Sequence, residues 1–177
     1  MKRMLLLLVV VAIGVSIAAA QSQVKKDTVP GITNFAQIET TVACSGAIKP
    51  ESVADIKKMG FVSIVNLRLP TEPGANVEAE EAAAKAAGIR YEHIPFAGAT
   101  GDPAAVDHFL QALGKPGSQP AFIHCSGGGR AAMMWFVKRV MTDKWDNERA
   151  LAEATQLGLT SEPLKNFALN YIQTHKK

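Results

Sequence analysis

Beyond a polar, irregular lead-in from Gln21 to Thr33, apolar residues along this chain recur in two alternating rhythms. Short β-branched runs predict strands, and longer runs with a 3.6-residue period predict helices. The stretch TTVAC, Thr40 to Cys44, is the first short run, after which Pro50 opens a helix with Val53 and Ile56 on one face and Gly60 closes it. FVSIVNL, Phe61 to Leu67, fits a strand buried on both faces. NVEAEEAAAKAAG, Asn76 to Gly88, is rich in alanine with acids in its first turn and predicts a helix, and IRYEHIPF, Ile89 to Phe96, returns as a strand. Asp102 and Pro103 take the N-cap and first positions of another helix, in which Val106, Phe109, Leu110 and Leu113 share a face. PAFIH, Pro120 to His124, is the fourth strand of this pattern, followed by a helix from about Gly129 to Met141 that is apolar almost all round and therefore belongs in the centre of the protein. Two more helices follow, near Asp146 to Leu157 and Ser161 to Thr174, the second with Leu164, Phe167, Ala168, Tyr171 and Ile172 as its buried stripe.

Strands separated by helices of this length predict an α/β fold, with a mainly parallel central sheet of four to five strands and helices on both faces. Ligands in such sheets sit beyond the carboxyl ends of the strands. The turn after His124 lies at such an end.

The chain opens MKRMLLLLVVVAIGVSIAAAQSQ, with a basic start, an apolar run and small residues at Ala18, Ala19 and Ala20. That is the pattern of a secretory signal peptide over residues 1–20; the 16 residues from Leu5 to Ala20 fall short of the ~20 that a spanning helix needs. An exported, periplasmic or secreted protein is expected, with residues 34–177 as a single domain and no membrane association after cleavage. Removing the leader takes away Lys2 and Arg3, so most of the net charge of +3 belongs to that segment and nothing points to nucleic acid. An oxidising compartment permits a disulfide between Cys44 and Cys125, but two cysteines do not make a disulfide scaffold.

The run HCSGGGR, His124 to Arg130, carries the chemistry. A strand, a glycine-rich turn and a helix N-terminus together aim successive backbone N–H groups at an anion. A cysteine at the mouth of such a nest has its thiolate favoured, and the planar fork of an arginine holds two oxygens of a tetrahedral oxyanion. A simple turn would need neither the thiol nor the guanidinium. Cys125 is therefore the candidate nucleophile, with Ser126, Gly127, Gly128, Gly129 and Arg130 as the candidate binding loop.

HCSGGGR is similar to the signature of cysteine-dependent protein phosphatases, a His-Cys followed by a glycine-containing loop and an arginine. The wider run CSGAIKPESVADIKKMGFVSIVNLRLPTE, with IRYEHIPF after it, resembles the beta-lactamase-hydrolase-like, phosphatase-like domain family within the dual-specificity phosphatase fold, over about Ile32 to Leu159. The resemblance implies a phosphatase-like loop between a central strand and a buried helix. It also implies that Cys125 forms a covalent phospho-cysteine, that Arg130 binds the phosphoryl oxygens and that His124 holds the loop and tunes the thiol. Arg68, in VNLR and with Glu72 nearby, would brace the site or form a structural ion pair.

Three features depart from the phosphatase pattern. Four residues rather than five separate Cys125 from Arg130, which removes up to ~3.5 Å of loop contour and one N–H donor, and the smaller ring resembles that of rhodanese-type sulfurtransferases. Ala131 stands where phosphatases generally have a hydroxyl. Ala97 and Gly98 follow the YEHIPF strand where a general acid is usual; Asp102 is the nearest candidate, although a helix N-cap explains it as well. Glu92 and His93 could each face the site or be structural. Met133, Met134 and Trp135 read as core, His108 and His175 as solvent-facing, and no spacing suggests a metal site or a cofactor motif. Three activities are thus compatible with the loop: a phosphatase acting on a phosphate monoester, a sulfurtransferase carrying sulfane sulfur on Cys125, and an oxyanion-binding domain without turnover.

Overall fold

The computed structural model describes residues 23–38 and 40–175, so the expected leader and its cleavage site lie outside the described residues. Strands β1 (Val24–Lys26), β2 (Ala36–Ile38), β3 (Val42–Ser45), β4 (Ser63–Asn66), β5 (Arg90–His93) and β6 (Ala121–His124) form one six-stranded sheet. The order is β1-β2-β3-β6-β4-β5. Four neighbouring strands, β3, β6, β4 and β5, run parallel, and β2 and β1 are added antiparallel at one edge.

The parallel part matches the alternation of strands and helices in the sequence. The extra strands are β1 and β2, each of three residues, and β1 lies inside the stretch expected to be irregular. Three residues are too few to show a period of two, so only pairing with a neighbour identifies them.

Helices α1 (Val53–Lys58, entered through a short 3-10 turn at Pro50–Ser52) and α2 (Val77–Ala87) cover one face of the sheet. There Ile56 and Ala84 pack with Ile64 and Phe122. Helices α3 (Pro103–Gly114), α4 (Gly129–Met141), α5 (Asn147–Leu157) and α6 (Glu162–His175) build the other core, with α4 at its centre. Every residue from Ala131 to Val137 has no exposed surface, which is what an all-round apolar helix requires. Met133, Met134 and Trp135 are core residues, while His108 and His175 are exposed.

Parallel strands end on one side of the sheet. Ser45 at the end of β3, Leu67 after β4 and Phe96 after β5 therefore surround the turn that leaves β6 at His124. The functional loop emerges between them.

Candidate active site

Cys125 is the first residue beyond β6, and its backbone N–H donates to the Ser45 carbonyl at 3.2 Å. The loop is then pinned from behind. Ala47 N–H donates to Ser126 O (3.0 Å), Asn34 Nδ2 donates to Gly127 O (3.1 Å), and Gly46 and Gly127 form an isolated antiparallel bridge. Gly46 is glycine because of that approach: a Cβ there would sit 2.8 Å from the Ser126 carbonyl oxygen. Gly128 has φ +101°, a region that side chains avoid, and this turn points its N–H at Cys125 Sγ (3.0 Å). The first hydrogen bond of α4 runs from Ala132 N–H to Gly128 O, so the amides of Gly129, Arg130 and Ala131 lie outside the helix's own ladder, at its positive end.

Arg130 is 9% exposed, and both of its terminal nitrogens have partners. Its Nη1 donates to Glu72 Oε1 (2.6 Å), Phe96 O (2.8 Å) and Leu67 O (3.1 Å), and its Nη2 donates to Glu72 Oε2 (2.8 Å) and Ser126 Oγ (2.9 Å). Three loops, those after β4, β5 and β6, are thereby tied to one guanidinium. Burial opposes the charge on Arg130, but the hydrogen bonds to Glu72 and the nearby Cys125 outweigh it and hold the group more firmly protonated than usual. Partial burial likewise pushes the Glu72 carboxyl up, and the hydrogen bonds from Arg130 and from the Leu69 N–H overcome it, bringing the value down to about 2.

Arg68 braces the same loop from the side. Its Nη1 and Nη2 donate to the carbonyls of Gly74 (2.7 Å) and Pro73 (2.6 Å), and Nε lies 3.5 Å from Glu72 Oε2. Arg68 thus ties the backbone of the loop after β4 and lies beside Glu72. Glu72 was visible in the sequence as a neighbour of Arg68; its fork-to-fork pairing with Arg130, 58 residues away, was not.

These groups line a hollow of ≈ 620 Å³, together with Leu69, Pro73, Ala97, Gly98, Ala99, Ser161 and Leu164. Cys125 is only 1% exposed and forms part of its floor, whereas Ser126 and Gly127 are exposed at the rim. Glu72 is the one carboxylate among the described residues that line it. Asp102, the sequence candidate for a general acid, is exposed and outside this lining; its carboxylate accepts the Ala104 N–H at 2.9 Å as the N-cap of α3. Glu92 pairs with Lys115 at 2.8 Å, and His93 Nε2 meets the Arg68 carbonyl at 2.9 Å, so neither borders the hollow. Cys44 and Cys125 are free thiols. Burial, reinforced by the nearby Cys125 and Glu153, pushes the Cys44 thiol well up, which leaves it an unreactive core residue.

His124 turns to the opposite face of the sheet. Its ring is fully buried, with Nε2 3.2 Å from Glu80 Oε2 but without hydrogen-bond geometry, and Nδ1 has no partner among the described residues. Glu80, from α2, also accepts from Asn66 Nδ2 (2.8 Å) and Tyr91 OH (3.1 Å). Asn66 Oδ1 in turn accepts the Arg68 N–H at 2.8 Å. A polar cluster under the sheet therefore fixes the backbone at Leu67–Arg68, one carbonyl of which holds Arg130. Glu80 and Asn66 escaped the sequence reading because an acid in an alanine-rich helix and an asparagine in a strand carry no local signal. The signal is their complete burial.

Comparisons with known proteins bear on the family and the fold. Residues 34–142 match the model of the family described as "Beta-lactamase hydrolase-like protein, phosphatase-like domain". A beta-lactamase hydrolase-like protein of Xylella fastidiosa is 31% identical over 123 residues, covering 66% of this chain and 28% of the relative, so the match spans under a third of that longer protein. Among solved structures, a DUF442 protein of Shewanella putrefaciens superposes with a TM-score of 0.70 at 16% identity, covering 83% of this chain and 94% of that one. P. aeruginosa TpbA, solved as a variant in complex with pTyr, superposes with a TM-score of 0.62 at 20% identity, covering 89% of this chain and 91% of that one. These two likenesses are of fold.

Proposed function

Because this chain belongs to the phosphatase-like domain family of beta-lactamase hydrolase-like proteins, we propose that it is a cysteine-dependent phosphatase acting on monoesters with good leaving groups. One observation carries the reading: Cys125, whose sulfur accepts the Gly128 N–H, and the Arg130 guanidinium line the same open hollow. The Cys125 thiolate attacks phosphorus, the P–O bond to the leaving group breaks, and the electron pair departs with the leaving oxygen. Loop amides and Arg130 stabilise the equatorial oxygens. Water then attacks the phospho-cysteine, releasing phosphate and restoring the thiolate.

The restriction to good leaving groups follows from the lining. Glu72, with its carboxyl at about 2, is ionised near neutrality and has no proton to give. General acid catalysis is worth about 10²–10⁴-fold, and that gain is lost most heavily for alkyl esters, whose leaving oxygens need the proton. Phosphate release should therefore be faster from aryl than from alkyl phosphates by about 10²-fold or more. It should disappear in Cys125→Ser. Equal rates on both esters, or unchanged rates in Cys125→Ser, would contradict the proposal.

A second reading is favoured by the same lining and by the four-residue loop. Transfer of sulfane sulfur needs no general acid. The Cys125 thiolate attacks the outer sulfur of thiosulfate, the S–S bond breaks, sulfite leaves, and the resulting persulfide passes its sulfur to cyanide as thiocyanate. Thiocyanate formation without phosphate release would replace the first reading by this one. The first twenty residues support an exported location for either activity.

A further inference from the structure

We propose that Leu164, from the first turn of α6, is the specificity-determining residue of the catalytic hollow, presenting an apolar wall that admits monoesters whose alcohol part is uncharged and apolar. The proposal rests on the phosphatase reading above and adds to it a selection that does not depend on how readily the alcohol leaves. Leu164 is buried, yet it lines the hollow beside Arg130 and Gly129. Helix α6 sets it there. The Ser161 hydroxyl at the helix start accepts the Leu164 N–H at 3.5 Å, and Ser161 borders the same hollow.

The two methyl groups of Leu164 are lodged between segments that carry the site. A Cβ at Gly129 would sit 3.5 Å from Leu164 Cδ1, and one at Gly98 would sit 3.5 Å from both Leu164 Cδ2 and Arg130 Cδ. Leu164 is thus held against the first turn of α4 on one side and against the loop after β5 on the other. That loop places Ala97 and Ala99 in the lining, and the loop after β4 adds Leu69 and Pro73. With Leu164, apolar side chains from three separate segments therefore surround the polar floor.

Charge points the same way. Arg68, Glu72 and Arg130 are the charged side chains among the described residues that line the hollow, and two guanidiniums against one carboxylate leave one net positive charge. Glu72 takes Arg130 fork to fork, and the terminal nitrogens of Arg68 donate to the Gly74 and Pro73 carbonyls. The bound phosphoryl group takes up the one charge that is left. A carboxylate or second phosphate on the alcohol would lose its water against methyl groups and find no cation, whereas an apolar alcohol gains for each carbon that Leu164 shields from water.

The test uses two aryl phosphates whose phenols are of similar acidity, para-ethylphenyl phosphate and para-(carboxymethyl)phenyl phosphate, so that only the distal group differs. Wild type should favour the ethyl ester in kcat/KM by about tenfold or more. Leu164→Ala, assayed at a temperature where it is folded, should bring that ratio down severalfold. Leu164→Met keeps an apolar side chain of similar volume and should retain it. Ala99 is an exposed residue of the lining, so Ala99→Lys gives a reading even where Leu164→Ala does not fold; its free ammonium should move the ratio severalfold toward the carboxymethyl ester. A wild type indifferent to the distal group, a ratio that folded Leu164→Ala keeps, or one that Ala99→Lys leaves unchanged overturns the proposal alone. Phosphate release from neither ester overturns the phosphatase reading and the proposal with it.

Discussion

Arg130 and Glu72 face each other fork to fork, Nη1 to Oε1 at 2.6 Å and Nη2 to Oε2 at 2.8 Å, on the wall of a hollow whose floor holds Cys125. A buried guanidinium without this partner would bear an uncompensated desolvation cost. The Glu72 carboxyl, ordinarily at 4.5, is held at about 2 in the folded protein, so the stabilisation it provides is present above 4.5 and is lost as pH falls through 2. Glu72→Gln should therefore lower unfolding free energy by about 2–3 kcal/mol near neutral pH, measured by denaturant titration. The difference from wild type should shrink steadily below 4.5 and close near 2. A gap independent of pH would show that shape, rather than charge, sets the role of Glu72.

Two adjacent glycines should respond differently to alanine. Gly128→Ala forces a side chain into φ +101° and disturbs the N–H donated to Cys125, so it should cost about 1–3 kcal/mol of stability and most of the activity. Gly127→Ala meets open space at an ordinary φ and should change stability by no more than about 0.5 kcal/mol. Thermal melts of the two variants side by side check both statements.

The contrast between these glycines also shows where reading the sequence stops. HCSGGGR was legible because the loop's chemistry is contiguous, and the four parallel strands and the central helix were legible because their rhythms span enough residues to be counted. What escaped was non-local. Glu72 reaches Arg130 across 58 residues, Asn34 holds the Gly127 carbonyl across 93, and β1 and β2 are defined by pairing rather than by composition. The assignment of Asp102 could not be decided from sequence, because an N-cap and a general acid call for the same residue type in the same loop. In the fold its carboxylate caps α3.

Asp102→Asn should accordingly leave the pH profile and kcat on aryl phosphates as in wild type, since asparagine caps a helix about as well as aspartate. Asp102→Ala should lower stability by about 1 kcal/mol with the same kinetics. A fall of 10²-fold or so in kcat, or loss of one limb of the pH profile, would restore Asp102 as the proton donor.

Glu80 lies under the sheet without touching the hollow, yet it accepts from both Asn66 and Tyr91 and stands 3.2 Å from His124. Glu80→Ala removes the acceptor of a completely buried cluster and should destabilise the protein by about 2–4 kcal/mol. Glu80→Gln keeps an oxygen in place and should recover part of that loss. If Glu80 also positions the Leu67–Arg68 backbone that holds Arg130, Glu80→Gln should lower kcat more than it raises KM at a temperature where the variant is fully folded.

The nucleophilic role proposed for Cys125 is tested most directly by trapping what it carries. Wild-type protein mixed with an isotopically labelled aryl phosphate, quenched in acid within one turnover and digested, should yield the label on the peptide containing Cys125. Cys125→Ser should give none, and Cys44→Ser should label as wild type does. Phosphate release with no label on Cys125, or label that persists in Cys125→Ser, would contradict the account.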